Sequence, residues 1–341
     1  MSDLAKEPAD GSVGGAKEHA AKDTLADARR IVAATTKKLA SMHKNQVHRD
    51  PWPDFEAFDV ARYPVTLRRA AAWQWISRAQ AEHGSVHQFS AVTHALTEAR
   101  APMELLGALA RLITDEVRHV EVCARIALTM YPEGNDTFFQ WRTPRAPWAD
   151  APRIDPNDRE ASELRLRGWA TRAILTACAL GETLSEPMLE ALVVVSTDPL
   201  PRACSEQILK DERFHGRFGF EALAVLVPTL DEAEKGALQE QLGRALAGFE
   251  RTTCGKTRVE DLVGHEVEIA PSTDPEGHPN LGTLSEREFA AIFYATLEQR
   301  IFPELEAVGL DPMRAWAERG RFPAPASKQR PEASAETRAA E

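Results

Sequence analysis

Residues 115–119 read Asp-Glu-Val-Arg-His and residues 211–215 read Asp-Glu-Arg-Phe-His, so one acidic pattern ending in histidine occurs twice. Each copy lies in a long stretch whose apolar residues recur with the 3.6-residue spacing of an amphipathic helix. Side chains three positions apart share one face of a helix, so the Glu and the His of each copy can bind one metal ion. The repeated pattern therefore predicts two helices that each present a Glu-x-x-His pair.

A single glutamate precedes each copy at a similar distance. Glu82 precedes Glu116, and Glu182 precedes Glu212, by about 30 residues. This separation suits two antiparallel helices of about 15 residues on each side of a turn, at ~1.5 Å per residue. Each hairpin then places a lone Glu level with a Glu-x-x-His pair. The candidate catalytic and metal-binding residues are therefore Glu82, Glu116, His119, Glu182, Glu212 and His215.

The chemistry of this set indicates which metal it would hold. Four carboxylates carry four negative charges, which two divalent ions neutralise. Oxygen-rich ligation with one imidazole per ion suits iron or manganese better than zinc or copper. We therefore predict two iron ions per chain, with manganese as the alternative.

A solvated helix face is the competing interpretation, because exposed helices are rich in glutamate and the chain has 10 histidines. One Glu-x-x-His would be weak evidence, whereas two copies that each begin with Asp are far less expected by coincidence. Apolar residues such as Leu112, Cys123 and Ala127 share the ligand face. Burying four carboxylates without a cation would cost several kcal/mol each, so the pattern favours a metal site.

Composition limits the class of protein. The 341 residues carry a formal net charge of −11, which argues against a nucleic-acid-binding surface. No long apolar run and no apolar N-terminal segment is visible, so we expect no membrane partner, no secretory signal and a cytoplasmic location. The four cysteines form no Cys-x-x-Cys pair, which excludes a zinc ribbon or a four-cysteine iron centre built from local motifs.

Strand signals are almost absent, and helix signals cover most of the chain. We predict helices at about residues 18–46, 66–99, 103–131, 158–195, 200–227, 231–250 and 285–308, an irregular crossover at 132–157 and a short hairpin at 266–270. Two antiparallel hairpins joined by one long crossover describe an all-α fold built on a ferritin-like four-helix bundle.

The predicted domain organisation follows from the same signals. It consists of a disordered tail at 1–16, an N-terminal helical extension at 17–65, the dimetal four-helix bundle at 66–227, a C-terminal helical extension at 228–323 and a second disordered tail at 324–341.

The arrangement Glu…DExxH…Glu…DExxH resembles the ferritin-like di-iron carboxylate superfamily, and its spacing is more similar to the oxygen-activating branch than to ferritin. The stretches 82–86, 115–122 and 181–183 are similar to a bacterial group of ferritin-like domain proteins without settled function. This resemblance covers about residues 66–227, with a weaker match at 280–317. It implies a non-haem di-iron oxidase or oxygenase that uses O₂ to oxidise a small organic substrate.

This sequence differs from the patterns of the better-known branches of the superfamily, and the differences limit which branch it resembles. Ribonucleotide reductase small subunits have a radical tyrosine where this chain has Cys123, and neither Tyr63 nor Tyr131 can replace it. A cysteine there resembles the bacterial multicomponent monooxygenases, although a buried cysteine is more often a core residue. Arylamine N-oxygenases have an additional histidine ligand where this chain has Ile208. The cysteine spacing excludes the extra iron site of rubrerythrins.

Several neighbours of the ligands are weaker candidates. By resemblance, Asp115 and Asp211 each hold the outer N–H of a ligand imidazole, with a surface charge as the alternative. Glu186 is an additional ligand or a solvated side chain, and Cys123 is a neighbour of the centre or a core residue. A stripe of histidines has either a metal or proton-relay function or an ordinary core or surface position: His83, His87 and His94. A set of helical glycines either leaves a cavity for dioxygen or a small substrate or allows close helix packing: Gly84, Gly181, Gly216 and Gly219.

Alternative functions remain open at this level. They are iron binding with ferroxidase activity as in ferritins, peroxide removal by a dimanganese centre, and a metal-loaded structural bundle. We expect an external electron donor, because no flavin or nicotinamide motif is visible. We also expect a small assembly between a monomer and a tetramer, with a homodimer included, and not a ferritin shell.

Overall fold

The computed structural model describes residues 24–133, 150–273 and 277–322. These ranges are predominantly helical and contain no β-strand, and an isolated antiparallel bridge joins Thr273 to Pro279. Every helix in them is too short or too polar to cross a bilayer. The chain is therefore all-α over its described part, as predicted, while the tails predicted at 1–16 and 324–341 lie outside the described residues.

Eleven α-helices occur in the described ranges. They are α1 (Thr24–Val32), α2 (Lys37–Val47), α3 (Val65–Glu98), α4 (Met103–Met130), α5 (Arg159–Ile174), α6 (Thr183–Val195), α7 (Pro199–Leu226), α8 (Glu232–Thr253), α9 (Glu286–Thr296), α10 (Phe302–Ala307) and α11 (Pro312–Glu318). Two π-helical segments continue the helices without a break: Leu175–Glu182 joins α5 to α6, and Leu297–Ile301 joins α9 to α10.

Four long helical units surround one interior. A four-residue connection, 99–102, returns α4 antiparallel along α3. Asp198 caps α7, because its Oδ1 accepts the backbone N–H of Leu200 at 2.9 Å, and α7 runs back along α6 and the first π segment. The two hairpins are joined laterally, since α3 also contacts α5 and α4 also contacts α7.

The apolar core falls into two clusters along these helices. On α3 one cluster ends at Ala79 and the other begins at Phe89. On α4 the corresponding limits are Leu112 and Val122. Polar residues occupy the interval between the clusters, and this interval contains the predicted ligands.

The structure corrects the predicted helix at 18–46. Residues 33–36 are not helical, and Thr36 caps α2 by accepting the backbone N–H of Leu39 at 3.1 Å. A β-branched residue with a capping hydroxyl favours this break over continuation. Residues 18–23 of the predicted helix lie outside the described part of the chain.

Other differences are local. The hairpin predicted at 266–270 is wrong, because residues 265–270 have no strand pairing. The crossover predicted at 132–157 is irregular at its described ends, and residues 134–149 lie outside the described ranges. The sequence analysis missed α11 and both π segments; a π segment retains helical apolar patterning, so periodicity does not distinguish it from an α-helix.

Candidate metal centre

All six predicted ligands meet in the interior of the four helical units. Glu82 comes from α3, Glu182 is the last residue of the first π segment, and α4 and α7 supply the two Glu-x-x-His pairs. The side chains are buried: Glu82 is 8% and Glu182 is 6% exposed, and the other four are 0% exposed.

Interatomic distances place both imidazoles among the carboxylates. His119 Nδ1 lies 3.7 Å from Glu116 Oε1 and 3.6 Å from Glu212 Oε1. His215 Nδ1 lies 3.2 Å from Glu116 Oε1 and 3.8 Å from Glu212 Oε2. Each of the two glutamates therefore approaches both histidines, which is the position of a ligand shared by two ions.

The two lone glutamates complete the arrangement. Glu82 groups with His119 and Glu212, and Glu182 groups with Glu212 and His215, with the ligand atoms of each group within 4.8 Å of one another. The first group combines residues of both hairpins, whereas all three residues of the second group belong to the second hairpin. A divalent ion in the first group would therefore join the two halves of the fold.

Unpaired polar atoms test whether a metal fits. Most buried side-chain nitrogen and oxygen atoms that lack a hydrogen bond in the described ranges belong to this centre. They are Glu116 Oε1 and Oε2, Glu212 Oε1 and Oε2, His119 Nδ1 and His215 Nδ1. Leaving such atoms unpaired costs about 1–3 kcal/mol each, and more for charged groups. A pair of divalent cations satisfies all of them, so the residues fit the predicted metals.

The outer nitrogen of each imidazole faces an aspartate. His119 Nε2 lies 3.3 Å from Asp211 Oδ2, and His215 Nε2 lies 3.4 Å from Asp115 Oδ2. Both predicted aspartates therefore contact a ligand histidine, but each contacts the histidine of the other helix. An N–H donated to the aspartate leaves the Nδ1 lone pair directed at the carboxylates.

Two arginines each bind both aspartates, and a third, Arg111, reaches Asp115 Oδ2 at 3.3 Å. Arg118, 1% exposed, reaches Asp115 Oδ1 at 2.9 Å through Nη1 and also binds Asp211. Its Nε donates to the carbonyl of Val47 at the end of α2. Arg49 reaches Asp115 at 3.1 Å and also binds Asp211. We call Asp115, Asp211, Arg118 and Arg49, together with the two ligand histidines, the histidine side of the centre.

The ionisation of the ligands reflects burial and mutual repulsion. Burial and the charge of Glu116 raise the pKa of Glu82 to about 8. Burial and the charge of Glu182 raise the pKa of Glu212 well above its ordinary value. Burial lowers the pKa of His119, but the carboxylates of Glu116, Asp211 and Glu212 together outweigh it, and the pKa lies well above its ordinary value. Without metal, the centre therefore retains protons that divalent ions would replace.

A cavity of about 1070 Å³ opens beside the two lone glutamates. Both Glu82 and Glu182 line it, while neither Glu-x-x-His pair does. Its other walls come from α3, the first π segment, α6, α8, α9 and the segment leading into α9. They combine apolar, hydroxyl and amide side chains: Trp73, Leu184, Met188, Phe249, Phe289, Ser85, Ser185, Gln74 and Gln88. We call Glu82, Glu182 and this cavity the cavity side of the centre.

The weaker candidates separate clearly. Glu186 is not brought to the metal groups of the described residues; it binds Arg300 and lies 3.6 Å from Arg213. Cys123 is fully buried within the apolar cluster, and burial, with the charge of Glu82, raises the pKa of its thiol well above the ordinary value. The stripe of His83, His87 and His94 also lies outside those metal groups.

Two of the helical glycines serve close packing. A Cβ on Gly219 would lie 2.5 Å from the backbone nitrogen of Ala179. The absence of a side chain at this position therefore allows α7 to approach the π segment closely. A Cβ on Gly216 would lie 3.1 Å from Thr183 Oγ1. Gly181 instead lines the cavity.

The sequence analysis missed both arginines of the histidine side. Arg118 lies inside the motif itself, three residues after Asp115. An arginine within a stretch that is otherwise expected to be buried was the signal that could have identified it. Arg49 had no such signal, because it follows α2 and reaches the centre only through the fold.

Comparison with known proteins gives no match: no family model, curated protein or solved structure corresponds to this chain. The resemblance noted above therefore rests on the motif residues and their spacing.

Proposed function

We propose that the protein is a ferritin-like di-iron oxidase or oxygenase that uses O₂ to oxidise a small organic substrate. The observation that carries this proposal is the convergence of six buried ligand side chains beside a cavity large enough for an organic molecule. Four of these side chains, Glu116, His119, Glu212 and His215, have buried atoms without a hydrogen bond. Two iron ions held there would supply the electrons that reduce O₂.

The residues of the centre have distinct tasks in this proposal. Glu116 and Glu212 lie near both imidazoles and, with His119 and His215, would hold the two ions. Glu82 and Glu182 would complete the ligand set from the cavity side. Asp115 and Asp211 accept the outer imidazole N–H groups and fix the ring orientation. Arg118 and Arg49 offset the charge of the aspartates, so the ligand set alone has to be neutralised by metal.

The cavity favours oxidation of an organic molecule over iron storage. An iron path needs only a narrow channel, whereas about 1070 Å³ lies in the range of small-molecule sites. Phe249 of α8 and Phe289 of α9 line this space, so an organic substrate beside the lone glutamates would contact apolar side chains. Reductant would come from a separate donor.

Metal binding is the first test. We expect protein reconstituted with or without air to retain about two iron or manganese ions per chain, as measured by elemental analysis. This number corresponds to one dinuclear centre. Glu212→Ala should lose one or both ions. Glu186→Ala is the matched control, because this glutamate lies one turn from Glu182 but binds arginines; it should retain both. A wild-type protein that stays metal-free contradicts the proposal.

Oxygen reactivity is the second part of the test. Ferrous protein mixed with O₂ should oxidise its two bound ions and then stop until reductant is added. Continued uptake of many ions per chain would instead support iron storage, and release of O₂ from peroxide by manganese-loaded protein would support peroxide removal.

A further inference from the structure

A second cluster of metal-ligand side chains lies outside the dinuclear centre. It consists of His43 on α2, His48 at the end of α2 and Glu121 on α4. Glu121 lies two residues beyond His119, so helical geometry turns it away from the interior ligands. The metal-ligand function proposed above does not use any of these three residues.

The donor atoms converge on one point. His43 Nε2 lies 2.7 Å and His48 Nε2 lies 3.1 Å from the same oxygen, Glu121 Oε2. Donor atoms bound to one tetrahedral zinc ion at about 2.0–2.1 Å lie about 3.3 Å apart. A small outward shift of each side chain therefore admits an ion between them.

The surroundings hold the ligands in place. Arg125 Nε donates to the other oxygen of Glu121 at 2.7 Å, which leaves Oε2 facing the imidazoles. The ring of His48 stacks on Trp52 with centroids 3.8 Å apart and an interplanar angle of 6°. Glu121 is 6% exposed, whereas the His43 side chain is 39% exposed. The cluster is thus fixed on its inner side and reachable by solvent on its outer side.

We propose that His43, His48 and Glu121 form a mononuclear site for a zinc-class divalent cation, with water as the fourth ligand. Two imidazoles and one carboxylate form a donor set that suits zinc. Because the ion binds residues of both helices, it holds the end of α2 against α4. Arg49 follows His48 directly and binds Asp115 and Asp211, so the ion also fixes the segment that closes the histidine side.

Zinc counting on the full chain tests this site. Apo protein is loaded with Zn²⁺, passed through a desalting column and analysed for metal per chain. Glu121→Gln and His43→Ala should each retain one zinc ion fewer than wild type, whatever number wild type binds. His94→Ala, which removes an exposed histidine on α3, should retain the wild-type number. Because the readout is a difference, loss of the dinuclear centre would not alter it.

Glu121→Gln separates a metal site from a purely hydrogen-bonded cluster, since the amide oxygen still accepts from an imidazole but is a poor zinc ligand. Hydrogen exchange of residues 37–49 should slow when Zn²⁺ is added to wild type and not when it is added to Glu121→Gln. Equal zinc content in wild type and Glu121→Gln, or equal protection of this segment, would overturn the proposal.

Discussion

The two sides of the proposed dinuclear centre are built in opposite ways. On the histidine side, Asp115 and Asp211 are 0% exposed and paired with arginines, so both aspartates have fixed partners. On the cavity side, Glu82 and Glu182 border open space. The difference indicates that the imidazoles are held in one orientation, while the lone glutamates have room to change theirs.

The largest effect should follow from removing the arginine between the aspartates. Arg118→Leu removes the buried counter-charge of two buried carboxylates and leaves only the more exposed Arg49 and Arg111. The free energy of unfolding should therefore fall by about 3–5 kcal/mol. Urea denaturation of the metal-free protein measures this. Arg244→Leu is the control, because Arg244 is 52% and its partner Glu240 is 54% exposed, and an exposed pair contributes only about 0.2–1 kcal/mol. Equal losses in the two variants would contradict a specially stabilised histidine side.

A smaller effect should follow from overpacking the contact between α7 and the π segment. Gly219→Ala places a Cβ 2.5 Å from Ala179 N, and relieving this overlap should cost about 1–3 kcal/mol. Gly107→Ala on α4 is the matched control, because nothing lies within 4 Å of its Cβ position; it should raise stability by about 0.5–1 kcal/mol. If Gly219→Ala leaves the free energy of unfolding unchanged, the contact between α7 and the π segment can adjust its packing, unlike the histidine side.

The smallest effect concerns pH and the outer wall of the cavity side. Glu250 of α8 accepts from Arg319 Nε at 2.8 Å and from Tyr294 of α9 at 3.1 Å. Burial raises the pKa of Glu250, but Arg319 outweighs it, so the pKa lies below its ordinary value. This stabilisation is therefore present above the unfolded glutamate pKa of about 4.3 and is lost as the pH falls through the lower folded value.

Urea denaturation between pH 7 and pH 3 checks this dependence. At pH 7 the free energy of unfolding of wild type should exceed that of Glu250→Gln by about 1.5 kcal/mol. This difference should shrink towards pH 3. Glu240→Gln, which removes an exposed charge on the same helix, should show little difference at either pH. A constant gap between wild type and Glu250→Gln would exclude the carboxylate as its source.

The sequence anticipated what depends on helical periodicity. The bounds of α3, α4 and α7 agree with prediction within one or two residues, because apolar spacing and proline stops define them. The two Glu-x-x-His pairs could be predicted because i and i+3 positions share a face. Glu82 and Glu182 could be predicted because antiparallel helices place them level with those pairs. The crossed Asp–His contacts, Arg49 and the His43–His48–Glu121 cluster could not, because they join residues far apart in the chain, and pairing across helices leaves no periodic signal.

The crossed contacts give the centre an approximate two-fold symmetry. Exchanging the two hairpins maps Asp115 onto Asp211 and His119 onto His215, and the contacts between them are preserved. Arg118 breaks this symmetry, since its counterpart on α7 is Phe214. Each half of the chain thus orients the histidine of the other half, while one half alone supplies the interior arginine. Neither hairpin is therefore a complete unit, and each copy of the motif depends on the other for the position of its histidine.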